Sequence, residues 1–396
     1  MLEPAGDAAG RLRAFLTIGP GTVARHQLAL ALALECQRIV CLARGMTVEL
    51  IALQHDAEHA GAQFHVIGDA RGLSALVTAG DEVMVLADGL AVVPEAGRDL
   101  LKSGHMVLVL PAETGIPAGF ERVDLETASA GAMRLPGRLV ERLSELPADC
   151  DVVSALTRIA LQGGVARRFL PDTLRAGQAW QLARSEAEAE AIETGWIGRH
   201  LADSPPTDLA HALAGLAVRN FSAPLLHAGS GGGALAALAG VVLLLALCFG
   251  WFGFAATALV ITGAAWIIRI AGSTMMRMER ALLGISDGRW RRKAIFAWAL
   301  DLALVTILTW NLTDPTHYSA WQRLFGPVML LALLRLMPRV LHERWTGWLE
   351  DRLLLALVLA VAAGFGRLAP AVTLLARALA ALEILGPSRQ SRITPV

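Results

Sequence analysis

Six long apolar runs between residues 233 and 386 constrain the fold more than any other feature of the sequence. They cover residues 234–249, 252–270, 294–312, 324–340, 353–365 and 368–385. A bilayer-spanning helix needs about 20 predominantly apolar residues, and flanking Trp and Arg side chains extend the shorter runs to that length. The sequence therefore predicts an all-α domain of six transmembrane helices over residues 233–386, followed by a cytosolic tail at 387–396.

The charged residues divide the chain into two unlike parts. The formal net charge is zero, but residues 1–232 hold 19 Lys and Arg against 27 Asp and Glu, while residues 233–396 hold 16 against 8. Basic residues of the second part concentrate at 276–293 and 339–352, and the positive-inside rule places these loops in the cytosol. We therefore expect a multi-pass protein of the inner (cytoplasmic) membrane with both termini cytosolic. An acidic first part argues against a nucleic-acid partner.

The first part alternates short β-rich runs with helical stretches. Strands are predicted at 13–18, 38–43, 63–67, 82–87 and 106–110, and helices at 23–36, 46–60, 70–79, 136–146 and 154–162. This rhythm is typical of a parallel sheet with helices on both faces. It predicts a three-layer, Rossmann-like α/β head over residues 11–200. The four cysteines show no C-x-x-C pair, so neither a disulfide framework nor a structural zinc is expected. The polar start, residues 1–10, predicts no cleavable signal peptide.

Two segments of the head follow predicted strands, where ligands bind in sheets of this kind. Gly19 and Gly21 lie in a loop that, together with Arg25 of the next helix, could bind a phosphate through backbone N–H groups. The alternative is that the two glycines only form a tight turn. Asp88 ends the strand at 82–87 and is a candidate ligand for a divalent cation, while an Asp-Gly turn or a helix cap uses the same residues. Both interpretations stay open for each segment.

Residues 201–232 connect the two parts. The stretch at 209–221 is amphipathic and predicts either a helix lying in the membrane interface or a linker helix packed on the head. Further on, Asp301 lies about two turns inside an apolar run, where an ionisable group needs a partner or a cavity. Arg269 and Arg335 are the expected partners in a buried structural pair; the alternative is a polar headgroup pocket.

Four arginines stand near the cytosolic ends of the second and third apolar runs. They are predicted to attract lipid phosphates even without catalysis, and they are Arg277, Arg280, Arg291 and Arg292. Asp287, in the same segment, is a candidate metal ligand, and a cytosolic Asp-Gly turn is the alternative.

The head resembles a sugar- or inositol-phosphate nucleotidyltransferase of the GT-A type. The resemblance rests on the glycine loop at 19–21 after the first predicted strand and on the apolar strand ending in Ala87, Asp88 and Gly89. It implies that the loop and Arg25 bind a nucleotide triphosphate and that Asp88 binds Mg²⁺. Arg25 lies later than the loop arginine of that family, and no Pro-Lys follows it.

The whole chain is similar to the bifunctional enzymes in which such a head precedes a CDP-alcohol phosphotransferase membrane domain. That membrane family carries D-x2-D-G-x2-A-R-x8-G-x3-D-x3-D, whose aspartates hold two metal ions. With Asp287 and Gly288 placed on its D-G, Arg292 matches the arginine, but Asp301 falls where the motif has Gly and Val305 where it has Asp. Of the four aspartates in the family motif, this sequence therefore keeps one or two carboxylates.

Three functions follow from these observations. The first is a membrane-bound transferase of polar lipid headgroup synthesis, with Mg²⁺ as cofactor, CTP or a CDP-alcohol as partner, and Asp301 in a catalytic role. The second, favoured because both motifs are degenerate, is a non-catalytic membrane protein that binds a lipid, a nucleotide or a partner enzyme. The third, a transporter with a regulatory head, is disfavoured because no inverted repeat is visible. A homodimer is compatible with all three.

Overall fold

The computed structural model describes all residues except 1, 7–10, 148–149, 203–207, 228–230, 283–290, 313–319, 341–350 and 386–396. The chain divides into two compact units. The first consists of residues 1–203 with short pieces at 226–229 and 278–286 and is called the head. The second consists of residues 204–225, 230–277 and 287–396 and is called the helical unit.

The head is a mixed α/β unit. Its strands are β1 Thr17–Ile18, β2 Gly21–Thr22, β3 Arg38–Leu42, β4 Gln63–Ile67, β5 Glu82–Leu86, β6 Leu90–Val92, β7 Met106–Pro111, β8 Thr127–Pro136, β9 Ala166–Phe169 and β10 Trp180–Leu182. Its helices are α1 Val23–Ala33, α2 Val48–His59, α3 Ala70–Leu76, α4 Pro94–Leu101, α5 Ala112–Gly115, α6 Val152–Gln162, α7 Asp172–Ala176 and α8 Glu186–Ala202, with 3-10 helices at Arg13–Phe15 and Gly137–Glu145.

The largest sheet of the head has four strands in the order β5-β8-β7-β9. Strand β8 is antiparallel to β5 and β7, whereas β7 and β9 are parallel. The side chains of β7 alternate between two cores: Leu108 packs with α1 and α4, and Val107 and Val109 pack with α6. Apolar clusters thus cover both faces of this sheet. Strands β3 and β4 form a separate parallel pair.

Two secondary-structure predictions for the head are wrong, and a third needs its helix type specified. The sheet is mixed rather than parallel, because the ten-residue strand β8 lies between β5 and β7. The helix predicted at 136–146 is a 3-10 helix over Gly137–Glu145 that directly follows β8. Residues 13–18 form a 3-10 helix and the two-residue strand β1, because the chain reverses at Gly19 and Pro20 into β2. Gly19 has φ 62°, a left-handed conformation that favours glycine.

The helical unit contains α9 Leu209–His227, α10 Gly231–Trp251, α11 Ala255–Leu282, α12 Arg291–Asn311, α13 Ala320–Val340, α14 Arg352–Gly364 and α15 Leu368–Leu385. One apolar core joins α10 to α15 and includes Leu259, Leu304, Leu330, Leu359 and Val372. Large apolar side chains such as Leu244, Leu302 and Phe325 also point outward and are two-thirds exposed. Exposed apolar side chains of this size occur on surfaces that contact lipid or another protein.

The expected count of six membrane-spanning helices is corrected to two among the described residues. Gly232–Trp251 and Ala255–Met278 are long and apolar enough to cross a bilayer. The apolar parts of three others are shorter than the length required: Ile295–Asn311, Arg352–Gly364 and Leu368–Leu382. Helix α13 has 21 residues but carries Arg323, Arg335 and Arg339. Two such helices are weak evidence for a membrane location, because core helices of soluble proteins meet the same criterion.

Candidate functional site

Asp88 follows β5 at the carboxyl end of that strand, as predicted. Its Oδ2 atom accepts a hydrogen bond of 2.6 Å from the backbone N–H of Glu3, while Oδ1 is buried and has no partner among the described residues. Burial raises the pKa of Asp88 to about 6, although the Glu3 N–H acts in the opposite direction. The next residue, Gly89, has φ 77° and contacts the Ala183 carbonyl so closely that no Cβ would fit. The turn therefore fixes the position of the carboxylate.

The N-terminal segment covers the edge of the sheet on which Asp88 lies. The Leu2 N–H donates to the Leu42 carbonyl at the end of β3 at 3.3 Å, and the Glu3 N–H donates to Asp88. The Glu3 carboxylate forms an ion pair with Arg13. Residues 2 and 3 thus join the carboxyl ends of β3 and β5 at the place where a ligand would enter a Rossmann-like sheet.

A small cavity of about 130 Å³ lies beside Asp88. Its lining includes the acidic residues Glu121 and Asp151; the Ser154 hydroxyl, which has a single proton to donate, lies within hydrogen-bonding distance of both carboxylates. Ligand pockets usually measure about 300 to 1,000 Å³, so this space is too small for a nucleotide, whereas a second cavity of about 560 Å³ between β3 and β5, which Asp88 also lines, falls within that range. No group of three or more His, Cys, Asp or Glu in the described part of the chain could hold a metal ion. The residues around Asp88 therefore do not fit the Mg²⁺ that the resemblance implies.

The three predicted phosphate-binding residues lie away from this cavity. Gly19 and Gly21 are buried in the turn between β1 and β2. The Arg25 guanidinium forms an ion pair of 3.0 Å with Asp56 on α2. Helix α1 contacts the Asp88 turn instead through Gln27, whose Nε2 donates to the carbonyls of Ala87 and Leu90. Phosphate binding by the three residues remains a prediction.

Asp301 of α12 lies in a buried ion cluster of the helical unit. Its Oδ2 accepts a hydrogen bond of 2.6 Å from Arg335 Nε, and its Oδ1 accepts one of 2.9 Å from Arg352 Nε. The Asp301 side chain is 8% exposed and that of Arg352 10%. The Arg335 guanidinium also lies 3.5 Å from the centre of the Trp298 ring, a cation–π contact. Arg269, the other expected partner, lies over the Phe296 ring.

Arg352 is the residue of this cluster that sequence reasoning missed, because it was counted only as a cytosolic-loop charge. Asp351 before it is an N-cap that precedes an apolar run. That pattern places Arg352 in the first turn of an apolar helix, where it needs a buried partner.

Two further carboxylates lie at the start of α9. Asp208 is its N-cap and hydrogen-bonds both the backbone N–H and the imidazole of His211, which raises the pKa of His211. Asp351 accepts the Ala210 N–H at 3.0 Å and the Leu353 N–H at 2.8 Å, so it caps both α9 and α14. Burial raises the pKa of Asp351. These contacts fix the start of α9 to α14.

The four arginines predicted to bind lipid phosphate are described only in part. Arg277 is exposed near the end of α11, and Arg280 is half-buried. Arg291 and Arg292 begin α12, but their side chains lie outside the description, as does all of Asp287. Their roles remain predictions.

No protein-family model and no curated protein match the chain. A solved structure described as a glucose-1-phosphate thymidylyltransferase from Bacillus anthracis, in complex with sucrose, is 14% identical to it. The match covers 47% of this chain and 86% of that chain, with a TM-score of 0.36. This likeness is too weak to assign a shared fold or activity.

Proposed function

We propose that this protein is a membrane protein built on the plan of a nucleotidyltransferase head and a CDP-alcohol phosphotransferase domain, and that it has lost both transfer reactions. It would lie in the inner membrane with both termini in the cytosol, where the arginines at 277, 280, 291 and 292 bind lipid phosphates. The mixed α/β head, the helical second unit and its two long apolar helices support this plan.

The observation that carries the proposal is the neutralisation of Asp301 by two arginines. A CDP-alcohol phosphotransferase uses several aspartates to hold two cations, which bind the donor and help to activate the acceptor hydroxyl. Here the carboxylate oxygens are occupied by the guanidinium groups of Arg335 and Arg352. One carboxylate with two guanidiniums has a net positive charge, and it repels a divalent cation. A two-metal centre at Asp301 is therefore incompatible with the described contacts.

The head supports the loss of nucleotidyl transfer by a separate argument. Residues 2 and 3 cover the carboxyl end of β5, and in neither cavity that Asp88 lines do three His, Cys, Asp or Glu side chains of the described residues come together as a metal site. A transferred phosphate group needs cations or arginines at the charge that develops in the transition state. Arg25 is paired with Asp56 instead.

The test is CMP release by the purified full chain in detergent micelles containing phospholipid. A panel of CDP-diacylglycerol, CDP-choline and CDP-inositol, each with alcohol acceptors and with Mg²⁺ or Mn²⁺, covers the donor class. We expect rates indistinguishable from those of Asp301→Asn, with an active CDP-alcohol phosphotransferase as the positive control. Metal-dependent release that Asp301→Asn abolishes would overturn the proposal and establish the catalytic alternative.

A further inference from the structure

The head contains a cavity of about 560 Å³ between β3 and β5. Asp88 lines one end of it, but no function considered above uses the strand edges that form its walls. Strand β3 is paired with β4 on one side and β5 with β8 on one side, and neither has a second partner strand within the described residues. The edges of β3 and β5 therefore face each other across this cavity, which is called the slot below.

The two strands run in the same direction along the slot. At their amino ends, Arg38 of β3 forms a 2.7 Å ion pair with Asp81, directly before β5. At their carboxyl ends, Leu2 hydrogen-bonds Leu42 and the adjacent Glu3 hydrogen-bonds Asp88. A long arginine side chain at one end and a piece of main chain at the other bridge the gap. The two strand edges are thus connected at both ends without pairing with each other.

Both faces of the slot are apolar in the pattern of a sheet interior. Val40 and Val85 line it on the side of α3 and α6, where Leu156 closes the face. Cys41 and Met84 line it on the side of α1 and α4. Side chains of an inserted strand would alternate between these two faces, as strand geometry requires.

The charges of the slot are unbalanced. Arg38 is paired with Asp81, and Arg134 is paired with Glu82. Two more carboxylates, Glu35 and Asp88, also line the slot, and the Oδ1 atom of Asp88 is buried and without a partner in the described part of the chain. A ligand with a cationic group at the carboxyl end of the strands would complement this carboxylate.

We propose that the slot binds an extended peptide segment of another protein, which adds a strand between β3 and β5. Unpaired strand edges present alternating N–H and C=O groups, and an extended peptide backbone satisfies such edges on both sides at once. The bound segment has apolar side chains on both of its faces and a basic residue beside Asp88. Because β3 has five residues, the segment is about 16 Å long.

A fluorescent peptide of sequence Val-Ile-Val-Leu-Val-Arg, acetylated and amidated, tests the proposal by anisotropy with the full chain in detergent micelles. The matched control peptide is N-methylated at alternate amides, which keeps the side chains and removes backbone donors. We expect binding at least about tenfold weaker for the control, because several hydrogen bonds are lost. Hydrogen exchange should slow at 38–42 and 82–86 and stay unchanged at 166–169.

A variant of the protein gives an independent measurement. Val40→Phe fills the slot from its wall and should abolish peptide binding, with a melting temperature equal to or above that of the unmodified protein. Val48→Phe is the matched control, since Val48 is 80% exposed on α2. Equal affinity for the two peptides, or protection outside β3 and β5, would overturn the proposal. So would peptide binding that survives in a folded Val40→Phe variant.

Discussion

Replacement of Asp301 by leucine should destabilise the helical unit strongly. The substitution keeps the approximate volume of the side chain but leaves Arg335 and Arg352 without their shared carboxylate, and Arg352 is buried. Removal of one partner of a buried ion pair costs about 3 to 5 kcal/mol, because the remaining charge is uncompensated. Two hydrogen bonds between charged groups, at about 1.5 to 3 kcal/mol each, give the same range.

The assay is reversible unfolding in mixed micelles, in which SDS is titrated and helix content is followed by circular dichroism. Thr306→Val on the same helix is the control, because Thr306 is half-buried and its hydroxyl donates to the Leu302 carbonyl of its own helix rather than to the ion cluster. The double variant Asp301→Leu with Arg352→Leu should lose less free energy than the sum of the single changes. A loss below about 1 kcal/mol for Asp301→Leu would refute the reasoning.

Three further predictions concern other groups. Burial raises the pKa of Asp88 from 3.8 to about 6, so the folded head binds a proton at Asp88 more tightly than the unfolded chain does. The stabilisation that results from this proton is present below about pH 4 and is lost as the pH rises through 6. Asp88→Asn should therefore raise the stability of the head at pH 7 by up to about 3 kcal/mol, and this advantage should shrink toward pH 4.5 in thermal melts; an advantage independent of pH would contradict the assignment. Asp351→Ala should speed amide exchange at the starts of both α9 and α14, because each helix loses an N-terminal cap that is worth about 1 to 2 kcal/mol. Asp351→Asn should retain most of the protection. Faster exchange in α14 alone would show that Asp351 does not connect the two helices. Burial raises the pKa of the Cys41 thiol to about 11, so iodoacetamide at pH 8 should label Cys41 more slowly than Cys150. Peptide mass spectrometry measures the two labelling rates, and equal rates would argue against the raised pKa.

The strands that were predicted correctly are those whose own residues have a high β-propensity. Strands β3, β4, β5 and β7 are short runs rich in Val, Ile and Leu, and their observed ends agree with the prediction within about one residue. Strand β8 was missed because its residues, 127–136, are mostly Ala, Gly, Ser and Thr. It is a strand because β5 and β7 pair with it on both sides, and such tertiary pairing is not visible in local sequence.

The segment 13–18 shows the opposite error. Its apolar residues were interpreted as a strand, yet Leu16 and Ile18 are fully buried against Ala91, Ala183 and Trp196 in a separate core. The hydrophobic pattern alone cannot distinguish a sheet strand from a short hairpin in a core.

The sequence predicted where the candidate site residues lie better than it predicted which groups surround them. The place of Asp88 after β5 follows from strand order, but the covering segment at residues 2 and 3 lies in a polar stretch with no periodicity. Asp301 and Arg335 were paired correctly because both interrupt apolar runs. Arg352 lies 51 residues from Asp301 along the chain, and only the packing of α14 against the rest of the unit brings the two together.

Mn²⁺ titration of the full chain, followed by electron paramagnetic resonance, tests the central claim most directly. If Asp301 is neutralised by Arg335 and Arg352, the protein in detergent binds no Mn²⁺ through this carboxylate, and Asp301→Asn leaves the titration unchanged. Stoichiometric binding of one or two Mn²⁺ ions that Asp301→Asn abolishes would contradict the account.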